Sequence, residues 1–233
     1  YHHVDFPVLK TAIEVHFTPS YMFCPIHNRR MQTRFKEVMG EQCNHRVSLP
    51  DGYGEIHVPQ VSFNVIYILS HLHRHIFTEG IGLRQLLDYY FVLLKWHMDL
   101  TNLTNSNNSL PQMTQINTDL DALRHELKYL GLWKFAQAVM FVMKEVFGLS
   151  EDRMIAPMDE REGRFLLDEI MRGGNFGQYD DRMGSKVGES KIHRYFRMNL
   201  RNLRFVKHYP TEALSEPLFR TWFALWKKIH GIR

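Results

Sequence analysis

The chain has 233 residues, of which 44% are hydrophobic and 23% charged, proportions that suit a globular protein with one large core or two small ones. No apolar run approaches the roughly 18 residues of a membrane span, no signal-peptide pattern opens the chain, and two cysteines outside any Cys-x-x-Cys pair argue against a disulfide framework or a thiolate zinc site. A formal net charge of +4 favours anionic partners only weakly, a cytoplasmic location is expected, and fourteen histidines are the compositional oddity.

The first informative element is a strand over Leu9–Phe17. Leu9, Thr11, Ile13, Val15 and Phe17 alternate with Lys10, Ala12, Glu14 and His16, so Glu14 and His16 share one face. A carboxylate in mid-strand with an imidazole two residues on is how acids for metal-assisted chemistry are mounted. It is also what an ordinary half-solvated sheet presents. The few strands of this chain could hardly form a stable sheet alone. Because the chain opens at Tyr1 rather than at a methionine, this points to further sequence upstream.

A loop with Pro19 and Pro25 follows, then a basic helix over Asn28–Val38 with Gly40 as its stop. Arg46–Val58 reads as two short extended pieces around Pro50-Asp51-Gly52, and Pro59 ends the β region. Ser62 is a candidate N-cap for a helix over Phe63–Phe77; Gly80-Ile81-Gly82 separates it from a second helix over Leu83–His97. Residues 101–118, rich in Asn, Ser and Thr, read as a linker. Helices are then expected over Asp119–Leu130, Trp133–Phe147, Asp159–Met171, Glu189–His208 and Glu216–His230, with Gly131, Gly148 and a left-handed Gly173 as stops and Pro217 at the first position of the last helix. The pattern predicts an α+β chain, with a small mixed β-sheet remnant over residues 1–60 and a mostly α-helical body over 61–233.

Three groups of residues could carry chemistry. His71 and His75 are four apart on one helix face with Arg74 beside them, while His73 points away and Asp88 lies on the following helix. Two imidazoles at this spacing can hold zinc, but Leu72-His73-Arg74 between them lacks the glutamate of His-Glu-x-x-His. The alternative is a polar helix face with Asp88 bonding a histidine. Gly173-Gly174-Asn175-Phe176-Gly177 follows a helix rather than a strand, so it is neither a P-loop nor a dinucleotide fingerprint. Arg194, Arg197, Arg201 and Arg204 form a basic stripe that suits phosphate or nucleic acid, or plain solvent. On that helix Ile192, Tyr195, Phe196, Leu203 and Val206 are the expected buried face, and Trp222 and Trp226 are expected in the core.

The succession Ile13-Glu14-Val15-His16-Phe17, Leu69-Ser70-His71-Leu72-His73-Arg74-His75, Gly82-Leu83-Arg84-Gln85-Leu86-Leu87-Asp88 and Ile170-Met171-Arg172-Gly173-Gly174 resembles the uncharacterised nucleotidyltransferase family of bacterial polysaccharide gene neighbourhoods. The resemblance implies a small sheet with three carboxylates: an Asp-x-Asp pair after a Gly-Gly or Gly-Ser turn, and a third acid on a hydrophobic–acid–hydrophobic strand. Glu14 matches the third acid and would be catalytic and a metal ligand. The implied cofactor is Mg²⁺ or Mn²⁺, and the implied partners are a nucleoside triphosphate and a hydroxyl acceptor of unknown kind. His16, His71, Arg74, His75, Arg84 and Asp88 would be candidates to contact phosphate or acceptor. No Gly-Gly or Gly-Ser turn with Asp-x-Asp at the proper distance precedes Glu14, so the N-terminal part of the catalytic domain would be missing and this chain inactive alone. Two other readings stay open: a non-catalytic helical interaction module whose strand completes a partner's sheet, and a histidine-based metal hydrolase resting on His71, His75 and Asp88.

Overall fold

The computed structural model of the chain describes residues 3–8, 11–16, 18–42, 44–106, 112–173 and 190–231. Strands β1 (His3–Val8) and β2 (Thr11–His16) pair as an antiparallel hairpin in which Asp5 stands opposite Glu14 and His3 opposite His16. The partner of the predicted strand therefore comes from the chain itself. After α1 (Pro25–Gln42), a second small hairpin joins β3 (Arg46–Ser48) to β4 (Glu55–His57) through a tight turn. Asp51 sits there at φ 56°, a left-handed position that Asp tolerates better than most residues.

The remaining long elements among the described residues are helices: α2 (Val61–Phe77), α3 (Leu83–Ser106), α4 (Gln112–Tyr129), α5 (Trp133–Phe147), α6 (Glu160–Gly173), α7 (Lys191–Val206) and α8 (Pro210–Ile229). The fold is α+β, with two small two-stranded sheets among the described residues attached to a helical body. Helix α5 lies at the centre, buried from Phe135 to Met143 apart from Gln137, because its sequence is apolar all round. Leu69 and Phe77 of α2, Tyr89 and Leu93 of α3, Leu127 of α4, Leu166 of α6 and Met31 and Phe35 of α1 belong to the same core. Tyr89 anchors α3 to α2 by donating its hydroxyl to the Val65 carbonyl at 3.0 Å. At the α5–α6 crossing a Cβ on Gly163 would stand 2.3 Å from the Phe141 side chain, so glycine is what permits the approach.

Several boundaries differ from the sequence reading. Helix α3 runs on to Ser106 and α4 begins at Gln112, so most of the stretch read as a linker is helix. Propensity is a weak prior, and the burial of Leu100 and Leu123 on the amphipathic faces outweighs it. Helix α8 starts seven residues before Pro217, at Pro210, which takes the first-position role instead. Gln60, not Ser62, precedes α2. Gly148 ends α5 at φ 69°, with its amide on the Lys144 carbonyl and that of Leu149 on Met143. Gly173 is the last residue of α6 and not a left-handed stop.

Two arginines of the α7 stripe, Arg201 and Arg204, are structural. Arg201 is buried and donates to the carbonyls of Ile76 (3.3 Å), Phe77 (3.4 Å) and Thr78 (3.1 Å), where α2 ends. Asn202 joins it at the Phe77 carbonyl (2.9 Å) and reaches Glu216 of α8 at 3.2 Å. These groups satisfy the orphan carbonyls of a helix C-terminus and place a cation at its negative end. Arg204 pairs with Glu169 of α6. Turning Arg201 and Phe205 inward turns Phe196 and Leu203 outward, so both are exposed rather than buried as expected. Ile192 lies outside the residues whose side chains are described.

Candidate functional site

The C-terminal half of α2 gathers the histidine cluster. Leu69, Leu72, Ile76 and Phe77 drive one side of the helix into the core, which carries the i, i+4 pair His71 and His75 to a neighbouring half-buried face. Their Nε2 atoms are 2.9 Å apart and their rings meet edge-on at 4.4 Å. A terminal guanidinium nitrogen of Arg74 lies 3.1 Å from His75 Nε2 and 3.5 Å from His71 Nδ1, and the group is stacked over Tyr21 at 4.9 Å. His75 Nδ1 faces Glu79 at 3.2 Å.

These distances favour one arrangement of protons. With a carboxylate at Nδ1, His75 carries its proton there and offers the Nε2 lone pair to Arg74 and to the Nε2–H of His71. The bond to His75 holds the Glu79 carboxyl below its usual range, against the opposing effect of partial burial. Burial raises the Tyr67 hydroxyl, and the nearby Arg74 charge opposes that rise. The group therefore combines a buried cation with two imidazoles leading to a carboxylate. Chemically it can hold an oxyanion and pass a proton.

The other residues named from sequence are placed differently. Glu14 and His16 have backbone positions in β2, and their side chains lie outside the described set. Arg84 and Asp88 are exposed on α3 and their side chains make no hydrogen bond or ion pair among the described residues, so the Asp88–histidine bond of the alternative reading is not formed. Gly174 to Asp181 lie outside the described residues. His73 turns away from its neighbours as predicted, and its ring packs against Phe77, Phe135 and Tyr209. Burial there pushes its pKa down to about 4, despite the opposing Glu212 charge.

Sequence reasoning missed two features. Asp5 shares a rung with Glu14, and its signal was available, since Val4-Asp5-Phe6 has the same hydrophobic–acid–hydrophobic form as Ile13-Glu14-Val15. The second is Glu212 of α8. Its Oε2 accepts the amides of Phe23 (2.7 Å) and Cys24 (3.2 Å), and its Oε1 faces His27 Nδ1 at 3.1 Å. Nothing local could reveal this, because the partners are 185 or more residues apart.

Cys24, His27 and Glu212 are the one trio of metal-ligating side chains among the described residues whose ligand atoms all lie within 4.8 Å of one another. Both carboxylate oxygens are already engaged by the entry to α1, so the trio acts as a structural tie. Burial alone would raise the Glu212 carboxyl; the bond from His27, the nearby His73 and the two amides together bring it below the ordinary range.

A cleft of about 350 Å³ opens between α1, α2 and α4, lined by Arg34, Phe35, Gln42, Phe63 and Glu126 among others, and includes none of the candidate site residues named from sequence. Comparison of the chain with protein-family models, with curated proteins and with solved structures gives no match.

Proposed function

We propose that this chain is part of a metal-dependent nucleotidyltransferase that moves a nucleotidyl group from a nucleoside triphosphate to a hydroxyl acceptor. The observation that supports this reading is the cluster on α2, a buried Arg74 fork wedged between His71 and His75 with Glu79 behind them. An arginine fork suits phosphate oxygens, and an imidazole–carboxylate chain suits the removal of a hydroxyl proton. The Asp5–Glu14 rung adds two acidic positions on one ribbon. Mg²⁺ is commonly held by one or two carboxylates together with substrate phosphates, which is the donor number such a rung offers.

In this reading Arg74 holds the phosphates, and Glu14 either ligates the cation or takes the acceptor proton. His71 and His75 pass a proton toward Glu79. His16, Arg84 and Asp88 are left as contacts to the acceptor. The acceptor oxygen bonds to the α-phosphorus, the bond to the pyrophosphate oxygen breaks, and the hydroxyl proton goes to the base. Bound Mg²⁺ or Mn²⁺ supplies charge neutralisation at the phosphates and a lowered hydroxyl pKa. The Asp-x-Asp pair of a complete site is not found ahead of Glu14 in residues 1–233. The chain alone is therefore expected to bind nucleotide in the cytoplasm without turning it over.

Titration of the chain with a fluorescent nucleoside triphosphate, with Mg²⁺ and with EDTA, tests this. Metal-dependent binding that weakens in Glu14→Gln supports the reading. No metal-dependent binding to any of the common triphosphates sinks it. An open-edged β1–β2 ribbon, with no third strand among the described residues, favours the second reading of a strand-completing module.

A further inference from the structure

Helices α7 and α8 are an antiparallel pair, joined by the Asn202–Glu216 bond, by a 2.9 Å hydrogen bond between Tyr195 and Thr221, and by Arg220 over the Tyr195 ring. Each helix keeps a polar side inward, Arg201 and Asn202 on α7 and Glu212 and Glu216 on α8. The consequence is an apolar stripe on the outer side of each. Phe196, Leu200 and Leu203 recur at four and three residues along α7. Leu218, Trp222, Leu225 and Ile229 recur at four, three and four along α8. All seven are between 56% and 80% exposed. Because Tyr195 meets Thr221, their neighbours Phe196 and Trp222 stand at the same level, which sets the two stripes on adjoining helices side by side. Scattered apolar residues are ordinary on a surface, but seven exposed ones in register along two adjoining helices mark an interaction site.

The charge around the face selects the partner. Residues 190–231 contain nine lysines and arginines and only two carboxylates, Glu212 and Glu216. Both carboxylates are buried and bonded inward, so the exposed surface of the pair carries no acid at all. Arg194, Lys207 and Lys228 are exposed beside the stripes. A second copy of the face would bring cations against cations. Nucleic acid would use the cations but gain nothing from a row of leucine and isoleucine, and the aromatics of α8 are stacked on one another, Trp222 and Phe223 with Trp226 and Trp226 with His230, rather than standing apart to take bases. An anionic lipid surface uses both features. Leu, Ile and Phe enter the acyl boundary, Trp settles at the interface, and Lys and Arg reach the headgroups. No helix among the described residues is long and apolar enough to cross a membrane, so the fitting geometry is a pair lying in the plane.

We propose that the α7–α8 face docks the protein on a bilayer rich in anionic lipid. Co-sedimentation of the chain with phosphatidylcholine vesicles, plain or carrying roughly a third phosphatidylserine, tests the proposal. Binding is expected on the anionic vesicles and not on the neutral ones, weakening as salt is added. Arg194→Ala and Lys228→Ala should each lower affinity roughly fivefold. The double variant Leu218→Glu/Trp222→Glu should abolish binding while its circular dichroism and melting temperature stay unchanged, since both side chains are exposed. The milder Leu218→Ser should give a partial loss with the fold intact. Equal binding to both vesicle types, or undiminished binding by the glutamate variant, overturns the proposal. So does a concentration-dependent dimer in sedimentation that the glutamate variant dissolves, which would assign the face to a second copy. Tight binding of single-stranded RNA that anionic vesicles do not compete away would assign it to nucleic acid and overturn it equally.

Discussion

Glu212 accepts hydrogen bonds from the amides of Phe23 and Cys24 and faces His27, so the last helix holds the entry to the first. A buried carboxylate with these partners is costly to remove, because the amides and the imidazole are then left unsatisfied. Glu212→Ala is expected to lose about 3 kcal/mol of stability, which for a chain of this size is a fall of roughly 6–12 °C in Tm. Glu212→Gln keeps an acceptor and should lose less. Urea unfolding followed by circular dichroism measures both. Equal, negligible losses would show that the tie is not holding α1 in place.

Acid should weaken the fold through His73. Its folded pKa of about 4 lies below the 6.5 of an exposed imidazole, because burial penalises the charged ring. Between these values the unfolded state binds the extra proton, so stability falls as pH drops from 6.5 towards 4, by up to about 3 kcal/mol. Glu212 acts in the same direction at lower pH: its depressed folded pKa stabilises the fold above the ordinary carboxylate range, and that contribution is lost on further acidification. His73→Phe should flatten the upper part of the profile. Unfolding free energies at a series of pH values check the slope, and a wild-type profile flat from pH 6.5 to 4 would contradict the buried neutral ring.

Gly163→Ala should be destabilising despite being a helix-favouring change. The added methyl would meet the Phe141 side chain at 2.3 Å, so α5 and α6 must separate. Overpacking of this kind costs about 1–3 kcal/mol. Phe141→Leu in the same chain should recover part of the loss, a coupling that a double-mutant cycle reads directly.

Arg74→Lys preserves charge while losing the planar fork between the two imidazoles. If the cluster binds phosphate, nucleotide affinity should fall by about tenfold, with helix content unchanged. The fluorescent nucleotide titration with Mg²⁺ measures it. Affinity equal to wild type would remove Arg74 from the site.

How far the sequence discloses this structure depends on the range of each interaction. The meeting of His71 with His75, the strand around Glu14 and the stop at Gly148 are local consequences of spacing, alternation and a left-handed glycine, and all three are legible. Helix α7 is not, because it carries apolar residues on two sides. Periodicity finds both sides and cannot choose between the one with Phe196 and Leu203 and the one with Phe205. The choice is made by Arg201 and Asn202 reaching the carbonyls of α2, a polar contact across more than a hundred residues that no hydrophobic pattern records. Trp222 misled for the same reason: a large aromatic at helical spacing suggests a core, yet the buried glutamates of α8 turn it outward. The Asp5–Glu14 rung was half legible, in its repeated pattern but not in its register.

The carbonyls that Arg201 grips belong to the same final turn of α2 that carries His75. A tug on α7 would loosen that turn and shift the imidazoles against one another. If the outer helices dock and the α2 cluster moves a proton, as proposed, the two share this mechanical linkage, and what seats α7 would tune the chemistry without touching it.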